Sequence, residues 1–246
     1  MEEKMDLLLK NGLVVTENEC KRVDIAVKNG KIAGLLERGS KTCCSEKEID
    51  CQGKVILPGA IDTHSHFFEP GEPSKYRDDF YTATMAAAAG GYTTCIEMPQ
   101  SIPPVVNKEA FLLKKKLATE KAVVDFALWG GLVPSSLDKI KELKEEGCVA
   151  FKAFTSDAGP DYEMCSDYDL LEGMKIVKAV GGLVGIHAEN DSICRKMTEY
   201  YRGMKTICPE YHEASRPWYA ELEAVSRCIL WLSLIHISEP TRRSYI

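Results

Sequence analysis

The chain has 246 residues, 45% of them hydrophobic and 28% charged, with a formal net charge of −6. This is ordinary globular composition, with length enough for one large α/β domain or two smaller ones. The acidic balance offers no basic surface for nucleic acid. The ten cysteines contain no C-x-x-C pair. Cys43 and Cys44 are adjacent, and others, such as Cys95, Cys148 and Cys228, stand singly in apolar stretches. That usage points to reduced thiols in a cytoplasmic protein. No charged-then-apolar signal segment opens the chain. The longest apolar run, 228–237, is broken by Ser233 and His236 and falls far short of the ~20 residues a membrane span needs.

In chain order, the first fifty residues read as short strands. Strands over 6–10 and 13–16 flank Asn11-Gly12, and strands over 24–28 and 31–36 flank Asn29-Gly30. Each N-G pair is a hairpin signal. A polar loop over 38–47 leads to a further strand and then to residues 54–57 before Pro58-Gly59. Such a unit is too small to bury a good core alone, so it is expected to need strands from elsewhere in a longer chain. From Val55 the pattern changes to strands (55–66, 92–98, 122–129, 149–155, 183–187) alternating with helices (78–89, 108–121, 137–146, 168–180). Asn107 is placed to cap the second helix, and Ser135 or Ser136 the third. Gly90-Gly91, Gly147 and Gly181-Gly182 stop helices. The strands are nearly all apolar, as strands covered on both faces are. This alternation predicts a parallel sheet, either a (β/α)₈ barrel or an open doubly wound sheet.

Candidate chemistry gathers at predicted strand ends. The stretch from Gly59 to Gly71 reads G-A-I-D-T-H-S-H-F-F-E-P-G. Period-2 geometry turns His64 and His66 to one side of their strand, where two imidazoles can chelate a metal. By itself an H-x-H is as well explained by two polar residues in a turn. Lys152 lies in V-A-F-K-A-F, where a charged amine is costly to bury. It is either a snorkelling or ion-paired lysine, or an amine of depressed pKa that has added carbon dioxide to become a metal-bridging carbamate. His187, in V-G-I-H-A-E-N, again ends an apolar strand; alone it would read as a satisfied core histidine. The joint placement of all four at C-terminal strand ends, the face that carries barrel active sites, favours a metal site.

These motifs resemble the amidohydrolase superfamily, in its dihydroorotase, hydantoinase and allantoinase branch. The resemblance runs from about Asp6 to about Arg227. It includes the N-G pairs, P-G-A-I-D-T-H-S-H, E-P-G, A-A-A-A-G-G-Y-T-T, F-K-A-F and H-A-E-N. It implies an α/β fold: a (β/α)₈ TIM-like barrel, here partial, with a small N-terminal β-sandwich portion. Residues 1–54 would belong to the sandwich and 55–231 to an incomplete barrel. It also implies two divalent metals, usually zinc with cobalt or manganese as alternatives, bridged by a carboxylated lysine and a hydroxide. Carried over residue by residue, His64 and His66 would bind the first metal, Lys152 would bridge, and His187 would bind the second. A cytoplasmic homotetramer is the implied assembly, with a small cyclic amide as substrate and neither nucleic acid nor membrane as partner.

Departures within the branch separate its members. Dihydroorotase-like sequences place an arginine, which holds the substrate carboxylate, directly before the glutamate of E-P-G. Phe68 stands there, and Met98-Pro99-Gln100 replaces the M-P-N common in them. Hydantoinases generally lack the E-P-G of Glu69-Pro70-Gly71. The stretches I-E-M-P, G-G-L-V and H-A-E-N look most like allantoinases, which implies conversion of allantoin to allantoate in purine catabolism. Hydantoinase, dihydropyrimidinase or dihydroorotase activity is the alternative. A non-catalytic dihydropyrimidinase-like scaffold is a further one, against which the retained His64, His66, Lys152 and His187 argue. No catalytic acid/base is identified, because the family's aspartate follows the eighth barrel strand. From Val55 onward fewer residues remain than the ~250 a barrel takes. Residues 232–246 leave the family pattern and read as a non-native tail; lacking several barrel strands and the acid/base, the 246-residue chain by itself is expected to be inactive. His236-Ile237-Ser238 mimics the family's sixth-strand H-V-S but follows Arg227 too soon for the intervening helix. His212, beside Tyr211 and Glu213, reads as a solvated loop residue.

Overall fold

The computed structural model describes residues 4–39, 44–67, 69–71, 78–204 and 208–235. It divides into two compact units, Met1–Ala60 and Ile61–Ile246.

In the first unit, β1 (Met5–Lys10), β2 (Leu13–Val15), β3 (Cys20–Lys28), β4 (Lys31–Glu37), β5 (Ser45–Asp50) and β6 (Val55–Ile56) form one sheet in the order β5-β1-β3-β2-β6, with β4 also on β3. Asn29-Gly30 makes the expected hairpin: both residues take positive φ, 51° and 71°, and Lys28 pairs with Lys31. Asn11-Gly12 does not. β3 is nine residues long and accepts β1 at Ile25–Val27 and β2 at Cys20–Arg22, both antiparallel. Asn11, with φ 65°, is therefore a kink between two segments of one interrupted strand. The kink is held by the Asn11 N–H donating to the buried Asp24 carboxylate at 2.8 Å. Gly12 is required there, because a Cβ would lie 2.5 Å from Ile56 Cδ1. The strand expected over 55–66 is also split, into β6 of the first unit and β7 (Ala60–Ser65) of the second.

The second unit carries β7, β8 (Tyr92–Glu97), β9 (Asp125–Gly131), β10 (Ala150–Phe154) and β11 (Val184–His187), neighbours in that same order. The pairs β8–β9, β9–β10 and β10–β11 are parallel. This is the curled parallel sheet of a partial (β/α)₈ barrel. The connecting helices are α1 (Phe80–Ala89), α2 (Lys108–Lys121), α3 (Ile140–Glu145) and α4 (Asp167–Ala179); α5 (Asp191–Arg202), α6 (Glu210–Ala214) and α7 (Trp218–Ile235) follow β11. Caps set the helix starts. Asp79 and Ser166 close capping boxes with Thr82 and Asp169, and Asn107 accepts from the Ala110 N–H. The expected serine cap before 137 is absent. A 3₁₀ turn over Pro134–Lys139 precedes α3, Ser136 Oγ bonds back to the Gly131 carbonyl, and Ser135 bonds Glu163. α7 runs through Ile235, so residues 232–235 continue a helix; His236 and the rest of the supposed tail lie outside the described residues. No helix among the described residues is long and apolar enough to cross a membrane. No disulfide forms among the described cysteines.

The core lies between sheet and helices. Phe151 and Ala153 of β10 join Phe80, Phe111, Leu128, Ile140, Leu143 and Leu170 in it. Lys152 and Phe154 alternate to the opposite face, where Phe154 packs with Val133 and Tyr162.

Candidate metal centre

The strand-end geometry of β7 and β8 builds the first half of the site. His64 and His66 leave β7 on one side, their Nε2 atoms 3.1 Å apart. At that spacing both can be neutral, one donating to the other, or both can turn lone pairs on a common acceptor of electron pairs. Their environment keeps them neutral. Burial and then the Lys152 charge push His64 below the usual histidine value, against the opposing pull of Asp62. Burial, the neighbouring His64 and the Lys152 charge bring His66 down to about 4. The Trp129 indole donates to the Thr63 carbonyl at 3.3 Å, tying β7 to β9.

Lys152 occupies the middle of a strand whose five residues are all buried. Burial alone lowers its amine, and among the described residues no carboxylate pairs with it; its Nζ lies 4.9 Å from the centre of the Phe154 ring. Its neighbours in register are glycines on both sides, Gly131 of β9 and Gly185 of β11. Neither can take a side chain in place. A Cβ on Gly131 would meet the Tyr162 hydroxyl at 2.9 Å, and one on Gly185 would meet the Trp129 ring at 2.8 Å. The Lys152 carbonyl is held by the Leu132 N–H and the Tyr162 hydroxyl, both at 2.8 Å.

His187 closes β11. Its ring stacks on Phe154 at 5.2 Å, and its Nε2 contacts Glu189 Oε2 at 2.7 Å, leaving Nδ1 as the ring nitrogen outside that contact. Glu189 also accepts from Arg216 at 2.8 Å and Ser156 at 3.3 Å. Burial works to raise its carboxyl, but the bonds from His187, Arg216 and Ser156 outweigh it and hold the group below the usual carboxylate value. Asn190, the last residue of H-A-E-N, caps α5.

All four sequence candidates thus enter one electrostatic neighbourhood: His64 feels Lys152 and His187, and His66 feels His64 and Lys152. Among the described residues, no group of three or more His, Cys, Asp or Glu side chains could hold a metal ion. His187 therefore does not join the His64–His66 pair as a third ligand of one ion. Two imidazoles stand ready, while a lysine becomes an anionic oxygen donor only after carboxylation. The two imidazoles of β7 are donors of the kind that divalent metals take.

Several supporting residues were not evident from sequence. Lys114 and Glu97 form an ion pair with both side chains fully buried, Nζ to Oε1 3.0 Å. Glu69 of E-P-G accepts from the Phe80 N–H at 2.9 Å and pairs with Lys121, joining the loop to α1 and α2. Phe68 lies outside the described residues. His212 is exposed, as expected, but on the short helix α6 rather than in a loop.

An allantoinase of Rubrobacter xylanophilus is 41% identical over 249 residues, covering 95% of this chain and 52% of its own length. An allantoinase of Deinococcus radiodurans is 38% identical, with 95% and 53% covered. Among solved structures, the L-hydantoinase (dihydropyrimidinase) from Arthrobacter aurescens superposes with a TM-score of 0.87 at 33% identity, over 94% of this chain and 51% of that one. The dihydropyrimidinase from Brevibacillus agri NCHU1002 gives 0.83 at 28%, over 94% and 50%. The chain spans about half the length of the curated relatives it matches. A sequence model of the amidohydrolase family matches residues 55–225, and the chain belongs to that family.

Proposed function

We propose that the whole protein hydrolyses a cyclic amide, and that allantoin, opened to allantoate, is its substrate. The observation that supports this reading is the His64–His66 pair, with Nε2 atoms 3.1 Å apart, lying within the electrostatic reach of buried Lys152, with His64 also within that of His187 at the end of β11. In this reading His64 and His66 hold one metal, Lys152 bridges, and His187 holds the second. Divalent ions there, zinc by preference, would polarise the ring carbonyl and acidify water. The protein's own contribution is to prepare donors. Burial lowers the Lys152 amine below the usual lysine value, which favours the neutral form that reacts with carbon dioxide. The N–C bond forms, one C=O π pair moves onto oxygen, and the amine loses a proton to solvent, leaving the anionic carbamate. Glu189 and Phe154 fix the His187 ring so that one nitrogen is engaged and the other is free.

Substrate choice rests on sequence. Phe68 replaces the arginine that would pair with a substrate carboxylate, and a buried unpaired carboxylate is expensive. A neutral hydantoin ring with a ureido arm suits such a site. The similarity to allantoinases supports this choice over the hydantoinase and dihydropyrimidinase alternatives. The test is to assay the full-length protein with zinc, cobalt or manganese plus bicarbonate on allantoin, hydantoin, dihydrouracil and dihydroorotate. Allantoin should be turned over fastest and dihydroorotate slowest. Faster turnover of dihydroorotate overturns the substrate assignment, and turnover unaffected by Lys152→Met overturns the site.

A further inference from the structure

We propose that the buried Glu97–Lys114 pair is a positioning device for His66, clamping the backbone on both sides of that residue so that the two imidazoles of β7 converge; the inference rests on the metal reading of the site. Both side chains are fully buried, with Lys114 Nζ 3.0 Å from Glu97 Oε1. The second carboxylate oxygen of Glu97 accepts the N–H of Phe67, the residue after His66, at 3.0 Å. The N–H of Met98, the residue after Glu97, donates to the carbonyl of Ser65, the residue before His66, at 2.9 Å. Lys114 reaches from α2 to both ends of this clamp, bonding Glu97 and also donating to the Met98 carbonyl at 2.6 Å. The peptide units flanking His66 are thus tied to two consecutive residues at the end of β8, and the lysine locks those two residues to each other.

A stabilising role alone does not account for the pair. Desolvating two charges offsets most of what their attraction returns, and apolar replacement of buried pairs is often neutral or stabilising. What an apolar pair cannot do is accept the Phe67 N–H at a fixed point. A backbone bond next to a chelating residue sets where its ring points, as groups behind metal ligands generally do.

The test uses two double variants that each remove both charges, so neither leaves an orphaned ion. E97L/K114M has no acceptor for Phe67, whereas E97Q/K114M keeps an amide oxygen there. Thermal melting followed by circular dichroism reports folding, amide exchange reports the Phe67 N–H, and Co²⁺ titration with bicarbonate reports the site. Wild type should protect the Phe67 amide. E97L/K114M should fold, lose that protection and bind Co²⁺ on the order of 10–100-fold more weakly, while E97Q/K114M should recover both. Wild-type Co²⁺ affinity in E97L/K114M overturns the proposal, as does an unprotected Phe67 amide in wild type. If E97L/K114M does not fold, E97Q/K114M decides: kept protection with kept affinity supports the clamp, and lost affinity with the acceptor in place overturns it. Failure of wild type to bind Co²⁺ despite a protected Phe67 amide sinks the metal reading, and the positioning role with it, and is distinguishable from failure of the clamp alone.

Discussion

Replacing Gly131 with alanine should destabilise the second unit by an amount that depends on Tyr162. Gly131 has no positive φ, so its backbone accepts alanine; the obstacle is space. The new methyl would lie 2.9 Å from the Tyr162 hydroxyl, 2.9 Å from Val106 Cγ1 and 3.3 Å from the Val105 carbonyl oxygen. The last cannot withdraw freely, because it accepts the Gly131 N–H at 2.7 Å. Tyr162 is buried and donates to the Lys152 carbonyl at 2.8 Å, so moving it breaks a buried bond. Overpacking of this kind costs about 1–3 kcal/mol, and losing a buried hydrogen bond costs about 1–3 kcal/mol more. Restricting the unfolded chain returns roughly 0.4–1 kcal/mol. The net loss is about 1–5 kcal/mol, a fall in Tm of roughly 2–20 °C for a domain of this size. Tyr162→Phe alone should be mild, since the Lys152 carbonyl keeps its bond from the Leu132 N–H. It also deletes the atom the methyl strikes, so G131A/Y162F should be more stable than the sum of the single effects by about 1 kcal/mol. Urea unfolding of the four proteins measures the cycle. A G131A cost below about 0.5 kcal/mol, or strict additivity with Y162F, refutes the packing argument.

Two further outcomes test packing and local structure. Burial pushes the Cys148 and Cys165 thiols up to about 12, so the folded state holds protons that an unfolded thiol near 9 releases. Their contribution to stability is complete below pH 9 and is lost as pH rises through about 12. Iodoacetamide at pH 8 should therefore modify exposed Cys20 and Cys44 first, and Cys148 labelled as fast as Cys20 in native protein would contradict the burial. Asn107→Ala should cost about 1 kcal/mol in urea unfolding through loss of the cap on α2, with an unchanged midpoint counting against that role.

The second unit was legible because its signals are local and mutually consistent. The bounds of α2 follow from Asn107, which can cap, and from an amphipathic run that ends at Lys121. β10 is apolar apart from Lys152 and is buried along its whole length. The first unit was less so. An N-G pair between two apolar runs satisfies the hairpin rule, but whether the runs pair depends on a third strand. β3 is long enough to take both β1 and β2, and sequence around Asn11 does not encode the length of a partner. The strand over 125–131 was placed too early for a related reason: Gly130-Gly131 reads as a stop. Here the two glycines are strand positions whose missing side chains leave room for Cys148 and Phe151 at one and for Tyr162 and Val106 at the other.

The site divides along the same line between local and distant. His64 and His66 are two apart, so strand geometry puts them on one side, and their Nε2 atoms lie 3.1 Å apart. Lys152 shows itself by contrast with its apolar flanks. Its support does not, for Glu97 and Lys114 are 17 residues apart and Glu189 and Arg216 are 27 apart. A faint sign was present for one of them. The buried face of α2 carries Ala110, Phe111, Lys114 and Ala118, and a lysine at helical spacing among core residues needs a buried partner. The same reasoning bears on the centre itself. In the proposed reading Lys152 would act as a ligand only after reaction with carbon dioxide, so a lysine would stand where a carboxylate is usually sought. What favours that reading is a buried amine with no carboxylate partner among the described residues, flanked in register by glycines and close to the His64–His66 pair. Lys152 meets each of these conditions, and Lys114, equally buried but paired with Glu97, does not.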